Sequence, residues 1–343
     1  MGQHEFFRRA FGGFKPGRHA EWPSALGGPD ERGAGGQLHP AKYFRPGRIL
    51  GCDNAAGDVD ANLREPGRAV ESGYATAVVA GEAGGKAAAA QHLDAIGCGN
   101  RPHRGIGGFI VTGTEAKKVI LRAIGPSLGA SGLANVLSNP VLELHGGAGD
   151  NLIATNDNWQ DDAGSGAELA AAGMAPTNPY EAAIVVTLPP GQYTAVIDGK
   201  DGATGTALVE IYDGELTANS QLANISTLGF VGAADDVLIG GFVIGNGAAK
   251  VVLRALGPTL TQFGVANPIG DPTVELHDAN GGVTTNDDWQ TGADRDSIPV
   301  SLQPVDLRES AIYATLSPGS YTAIVRGKAG ATGVALVEVY NLP

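Results

Sequence analysis

The sequence predicts an all-β protein: two tandem antiparallel β-sandwich domains preceded by a largely unstructured N-terminal segment. Three observations predict it. From Ile106 onward the chain repeats itself with a period near 130 residues, the length of a whole domain rather than of a solenoid unit. Within each copy, short runs rich in Val, Ile, Leu, Thr and Tyr are bounded by Gly, Pro, Asn and Asp, the punctuation of strands. The composition also breaks near residue 105, which divides the chain into a segment 1–105, a first repeat 106–220 and a second repeat 221–343.

The duplication is carried by matched blocks. Ile106-Gly107-Gly108-Phe109 recurs as Ile239-Gly240-Gly241-Phe242, and Leu121-Arg122-Ala123-Ile124-Gly125-Pro126 as Leu253-Arg254-Ala255-Leu256-Gly257-Pro258. Glu143-Leu144-His145 matches Glu275-Leu276-His277, and Thr155-Asn156-Asp157-Asn158-Trp159-Gln160 matches Thr285-Asn286-Asp287-Asp288-Trp289-Gln290. Tyr193-Thr194-Ala195-Val196 and Ala207–Tyr212 return as Tyr321-Thr322-Ala323-Ile324 and Ala335–Tyr340. The offset drifts from 133 to 128, which puts insertions and deletions in loops between the blocks.

Strands are expected at Lys118–Ile124, Val141–His145, Ala183–Leu188, Tyr193–Ile197 and Ala207–Tyr212. Pro189-Pro190-Gly191 and Ser317-Pro318-Gly319 read as hairpin turns between neighbouring strands. Gly166–Met174, with its Ala-rich stretch, holds at most a turn or two of helix. Many short strands with frequent turns point to an antiparallel sandwich or barrel.

Residues 1–105 are rich in Gly, Ala, Arg, Pro and His and lack sustained periodicity, so they read as disordered or linker sequence. A sharper reading is that part of the segment is translated out of frame. Gln91 lies 15 residues before Ile106, as Asn224 lies 15 before Ile239. Write the codons of Gln91–Gly99 as CAA CAT CTC GAC GCG ATT GGC TGT GGN. Read one base later, they give Asn-Ile-Ser-Thr-Arg-Leu-Ala-Val-Gly, close to Asn224-Ile225-Ser226-Thr227 with Val231-Gly232. Thr76–Gly81 also echoes Thr194–Gly199 in frame.

Charge follows the same division. Residues 1–105 carry a net +2 and residues 106–343 a net −15, within a total of −13. The acidic balance argues against a general nucleic-acid binder, whose affinity rests on Lys and Arg at phosphates. No apolar run reaches the length of a membrane-spanning helix, and Met1–Arg9 lacks a signal peptide's apolar core. Both cysteines, Cys52 and Cys98, lie before Ile106, so the repeats offer neither disulfide nor thiol chemistry.

The blocks Ile-Gly-Gly-Phe, Leu-Arg-Ala-x-Gly-Pro, Ala154–Trp159, Leu188–Gly199 and Ala207–Tyr212 resemble a repeat of secreted proteins of environmental bacteria. The later half of each copy is similar to bacterial pre-peptidase C-terminal domains, jelly-roll-like β-sandwiches appended to extracellular enzymes and surface proteins. The likeness spans Ile106–Pro343, with the Arg-Ala-x-Gly-Pro block outside the pre-peptidase pattern. It implies a jelly-roll-like fold, an extracellular or cell-surface location and a secreted accessory role, in some members with calcium. It brings no catalytic residues.

The Asn-Asp loops are the first candidate site: Asn156, Asp157, Asp161 and Asp162 in one copy, Asn286, Asp287 and Asp288 in the other, with Asp294 and Asp296 following. Calcium takes six to eight oxygen ligands, which clustered carboxylates and carbonyls supply. The competing reading is an Asx-turn that caps its own backbone without metal. Trp159 and Trp289 either stack on a sugar ring or anchor their loops by packing. His145 and His277 read as surface strand residues. Arg122 and Arg254, in apolar strands, call for partners, with Glu143 and Glu275 or Glu210 and Glu338 available. No nucleophile elbow, Walker loop or zinc-protease motif is present. The expected function is therefore a non-catalytic structural, adhesive or accessory role, with surface proteins, polysaccharide or a second copy as partners. A carbohydrate-binding module of an extracellular enzyme system is the alternative.

Overall fold

The structure, a computed structural model, describes residues 75–80, 89–92 and 105–342, apart from 134, 148–150, 216–217, 235–236 and 246. The expected disorder of residues 1–105 lies outside these, except at two strands, β1 (Ala75–Ala80) and β2 (Ala89–His92). The first repeat contributes β3 (Gly105–Gly113), β4 (Lys117–Ile124), β5 (Pro140–Gly146), β6 (Asn151–Asn156), α1 (Ala163–Ala171), β7 (Ala182–Leu188), β8 (Gly191–Gly199) and β9 (Thr206–Asp213). The second contributes β10 (Ser220–Val231), β11 (Leu238–Ile244), β12 (Ala249–Leu256), β13 (Pro272–Asp278), β14 (Val283–Asn286), β15 (Ser310–Leu316), β16 (Gly319–Gly327) and β17 (Gly333–Leu342).

These strands build two layers, and each repeat supplies strands to both. One sheet runs β14-β13-β16-β11-β1-β9-β4-β7, with β2 also on β9; the other runs β15-β12-β17-β10-β3-β8-β5-β6. Successive strands of a repeat weave between the layers in a jelly-roll-like manner. The chain is thus all-β and sandwich-forming, but its two sandwiches are joined edge to edge through shared sheets. In the second sheet the joint is β10, which pairs antiparallel with β17 of its own repeat and with β3 of the other; in the first, β1 lies between β11 and β9. Thr227 Oγ1 on β10 donates across this seam to the Ile106 carbonyl at 2.9 Å.

The weave corrects one expectation. Pro189-Pro190-Gly191 and Ser317-Pro318-Gly319 are not hairpins, because β7 and β8, like β15 and β16, lie in opposite layers. They are corners where the chain changes sheet. Each is braced by a tyrosine: Tyr193 donates to the Pro189 carbonyl at 2.6 Å and Tyr321 to the Ser317 carbonyl at 2.8 Å. The same rings stack on Phe109 and Phe242, with centroids 5.3 and 5.4 Å apart.

The interior follows the alternation of the strands. Along β5 every second residue is buried, beginning with Pro140 and continuing through Leu142, Leu144 and Gly146. One apolar core runs through both repeats, from Leu121, Leu142 and Ile211 to Leu253, Val274 and Val325. The Gly-Pro blocks mark a close approach of backbones. A Cβ at Gly125 would lie 2.1 Å from the Leu137 carbonyl oxygen, and one at Gly257 would lie 2.2 Å from that of Ile269. Only glycine fits there.

Candidate functional site

Both Asn-Asp loops follow an edge strand, β6 in one repeat and β14 in the other, at opposite ends of the joined sheets. The asparagine is a clasp between layers. Asn156 Oδ1 accepts the Ala183 amide at 2.9 Å while its Nδ2 donates to the Asn158 carbonyl at 3.0 Å. Asn286 repeats this with Ala311 at 2.9 Å and Asp288 at 3.1 Å. The loop is thereby tied to β7 or β15 by the side chain that begins it, through a long-range bond from Oδ1 and a local one from Nδ2.

The aspartates have partners too. Asp157 pairs with Lys200, and Asp287 with the equivalent Lys328 at 2.6 Å. These contacts raise the pKa of both lysines, chiefly through the hydrogen bond to the aspartate. Asp161 accepts from Asn158 Nδ2 at 3.1 Å. Asp162 is the N-cap of α1, accepting from the Gly164 amide at 2.9 Å and the Ser165 hydroxyl at 2.8 Å. Those hydrogen bonds, the Ser165 hydroxyl first, hold its carboxyl below the usual range. The four acidic and amide residues of the first loop therefore serve separate contacts.

The second loop gathers more charge. Carboxylate oxygens of Asp271, Asp287 and Asp288 lie within 4.8 Å of one another. Lys328 Nζ reaches all three, at 3.6 Å from Asp271 and 4.0 Å from Asp288. In the first repeat the equivalents of Asp271 and Asp288 are Asn139 and Asn158, so only Asp157 is acidic. The lysine recurs in both copies and the trio of acids does not. Asp294 and Asp296 are absent from this cluster.

Sequence reasoning missed the residue that anchors each loop from below. Glu181 and Glu309 are fully buried just before β7 and β15. Glu309 accepts from the Gly257 amide at 3.1 Å, the Thr259 amide at 2.8 Å and the Thr259 hydroxyl at 2.7 Å. Glu181 does the same with Gly125, Ser127 and the Ser127 hydroxyl. Each backbone carbonyl of this pair accepts the Trp amide of its loop, at 2.8 and 2.9 Å. The signal was available as a glutamate shared by Glu181-Ala182-Ala183-Ile184 and Glu309-Ser310-Ala311-Ile312.

The tryptophans pack inward. Trp289 is 9% exposed and sits against Val252, Ile298 and Ala311. Its ring is not offered to a sugar, because the second layer and the 295–302 loop cover it. Trp159 is half-buried against the main core. The indole nitrogens of both are buried.

Arg122 and Arg254 find partners across the sheet. The register sets Arg122 opposite Glu210 and Arg254 opposite Glu338, so the candidates Glu143 and Glu275 are not used. Arg254 Nε donates to Glu338 at 2.9 Å, and Nη1 donates to the Leu302 carbonyl at 2.9 Å. Tyr340 donates to the same carboxylate at 2.9 Å and lies under the guanidinium at 5.1 Å. Arg122 has the same neighbours in Glu210, the Met174 carbonyl and Tyr212. Glu143 and Glu275 instead contact His145 and His277 two residues on, at 3.1 and 2.7 Å.

No family model matches the chain, and no curated protein matches it. Two solved structures align over much of it. One is described as "Life in the extremes: atomic structure of Sulfolobus Turreted Icosahedral Virus", at 10% identity and a TM-score of 0.21, covering 74% of this chain and 88% of that one. The other is the major capsid protein P2 from Bacteriophage PM2, at 10% identity and a TM-score of 0.21, covering 75% and 98%. Likenesses of that order carry no argument about this chain.

Proposed function

We propose that this chain is a non-catalytic, secreted or cell-surface β-sandwich repeat protein with a structural, adhesive or accessory role. The observation that carries the reading is where the duplicated polar residues are spent. Asn156 and Asn286, Glu181 and Glu309, Arg122 and Arg254, and the two Asp–Lys pairs all bond within their own repeat. A catalytic site needs such groups converging on a shared opening. Here they fasten loops to sheets. Among the described residues, one crevice, lined by Leu222, Phe242, Val251 and Val339, measures about 50 Å³, room for a few waters.

The Asp–Lys pairs support the metal-free reading of the loops, since an ammonium supplies the counter-charge a cation would otherwise bring. The edge strands support a role in association. β6 ends one sheet and carries the exposed Leu152 and Ile153, while β14 ends the other with the exposed Val283. Unpaired edges with apolar side chains invite pairing with another chain. The test is a purified chain presented to a polysaccharide array, a panel of hydrolase substrates and a sizing column with light scattering. The proposal expects self-association that Leu152→Lys with Val283→Lys abolishes, and no turnover. Substrate turnover lost on substituting a single buried acid would overturn it.

A further inference from the structure

The two repeats are interchangeable in the sheets, and the exchange shows one place that is filled differently from its counterpart. Replace each strand of one repeat by its equivalent in the other, and the order β14-β13-β16-β11-β1-β9-β4-β7 becomes β6-β5-β8-β3-x-β17-β12-β15. Reversed, this is the second sheet with β10 at x. The place between β9 and β11 is therefore the counterpart of the place that holds β10 between β17 and β3.

β10 fits its place continuously. It runs antiparallel to β17 from Asn224 to Val231 and to β3 from Ser220 to Leu228. Ile225 stands opposite both Val339 and Phe109, and Thr227 opposite Val337 and Gly107. The counterpart is held by β1, which runs parallel to β11 and meets β9 only at Ala77 opposite Val209. β2 lies antiparallel on β9 from Ala89 to His92. One place in the fold is thus shared by two short strands, one of them running in the opposite sense to β10.

We propose that the seat between β9 and β11 belongs to an antiparallel strand of the β10 type. We further infer that the nucleotides of codons 91–99, read one base later, encode it as Asn-Ile-Ser-Thr-Arg-Leu-Ala-Val-Gly. The seat's walls match β10's residue for residue. Ile211 and Phe242 replace Val339 and Phe109, and Val209 and Gly240 replace Val337 and Gly107. The shifted Ile then faces Ile211 and Phe242, and the shifted Thr faces Gly240 with its hydroxyl toward the Ile239 carbonyl, as Thr227 faces Ile106. The spacing agrees, since codon 91 precedes Ile106 by the 15 positions that separate Asn224 from Ile239. This strand would be the first repeat's own leading strand and would join β9 to β11 along its length, where β1 meets β9 at one position.

Two measurements test this. Sequencing the gene is expected to return CAA for Gln91 and GAC for Asp94. CAG, which shifts to Ser, or GAT, which shifts to Met, overturns the assignment of the strand. The second uses the full chain with Gln91→Asn, His92→Ile, Leu93→Ser, Asp94→Thr, Ala95→Arg, Ile96→Leu, Gly97→Ala and Cys98→Val. Filling the seat is expected to raise the melting temperature by at least about 5 °C over the parent chain. A melting temperature equal to or below the parent's overturns the seat.

Discussion

Replacing Glu338 by Gln removes the charge of a buried pair while keeping its volume. Arg254 is 4% exposed and Glu338 2% exposed, so the guanidinium left behind gains little from water. An uncompensated buried charge of this kind costs ~3–5 kcal/mol. Tyr340, which donates to the same carboxylate, keeps an acceptor in the amide oxygen, so most of the loss is electrostatic. In urea, a chain of this size shifts its midpoint by roughly 1–2 M for such a loss. Glu210→Gln is the internal control. Arg122 is 15% exposed and can recruit water, so the same change there costs less, about 1–3 kcal/mol. The double variant Arg254→Leu with Glu338→Leu separates charge from packing. It should lie within about 2 kcal/mol of the parent, because a buried pair is seldom worth more than a well-packed apolar replacement. Its residual cost lies in the Leu302 carbonyl, which loses its donor, and the Tyr340 hydroxyl, which loses its acceptor. A loss under about 1 kcal/mol for Glu338→Gln, or a double variant as unstable as the single one, would refute this reasoning.

Three further outcomes follow from the loops and their anchors. Glu309→Ala leaves two amides and Glu181→Ala three without their acceptor, and each should cost ~3–5 kcal/mol by urea denaturation; losses below about 1 kcal/mol would show that these carboxylates are not anchors. Lys328 is 44% exposed, so Lys328→Met should leave the urea midpoint almost where it is, and a chelator should leave the parent's melting curve unmoved; a fall with the chelator would favour the calcium reading. Burial pushes the carboxyls of Glu210 and Glu309 above their ordinary range, so the folded chain binds more protons there than the unfolded one. Stability should then rise as pH falls from neutral through that window. It should fall again below the ordinary carboxylate range, as Asp162 and Asp306, held low mainly by hydrogen bonds from Ser165 and Arg308, take up protons. A melting temperature that climbs steadily from about pH 5 to pH 8 would contradict the sign.

Much of the fold was legible because strands announce themselves locally. The runs at Lys118–Ile124, Val141–His145 and Ala207–Tyr212 fall on β4, β5 and β9, and Gly166–Met174 overlaps α1. The need of Arg122 and Arg254 for a partner was legible as well, since an unpaired charge in an apolar strand is costly. Which glutamate answers it was not, because cross-strand register depends on pairing partners far apart in the chain. Pairing also hid the corners. Pro189-Pro190-Gly191 is a plain turn signal, and nothing local says whether the chain returns to the same sheet or to the opposite one. Glu181 and Glu309 escaped notice because a single glutamate before a strand reads as surface. Its burial comes from Gly125 and Gly257, whose amides lie more than fifty residues away in sequence. The sharing of sheets by the two repeats has no sequence signature beyond the duplication itself.

That sharing is the central structural claim, and the two loop tryptophans test it most directly. With Trp22 and Trp289 replaced by Phe, the remaining indole, Trp159, reports the first repeat; with Trp22 and Trp159 replaced, Trp289 reports the second. Urea unfolding followed by each indole should give coincident midpoints, because β10 belongs to the sheets of both repeats. Separate transitions, with one repeat melted while the other keeps its native fluorescence, would contradict the account.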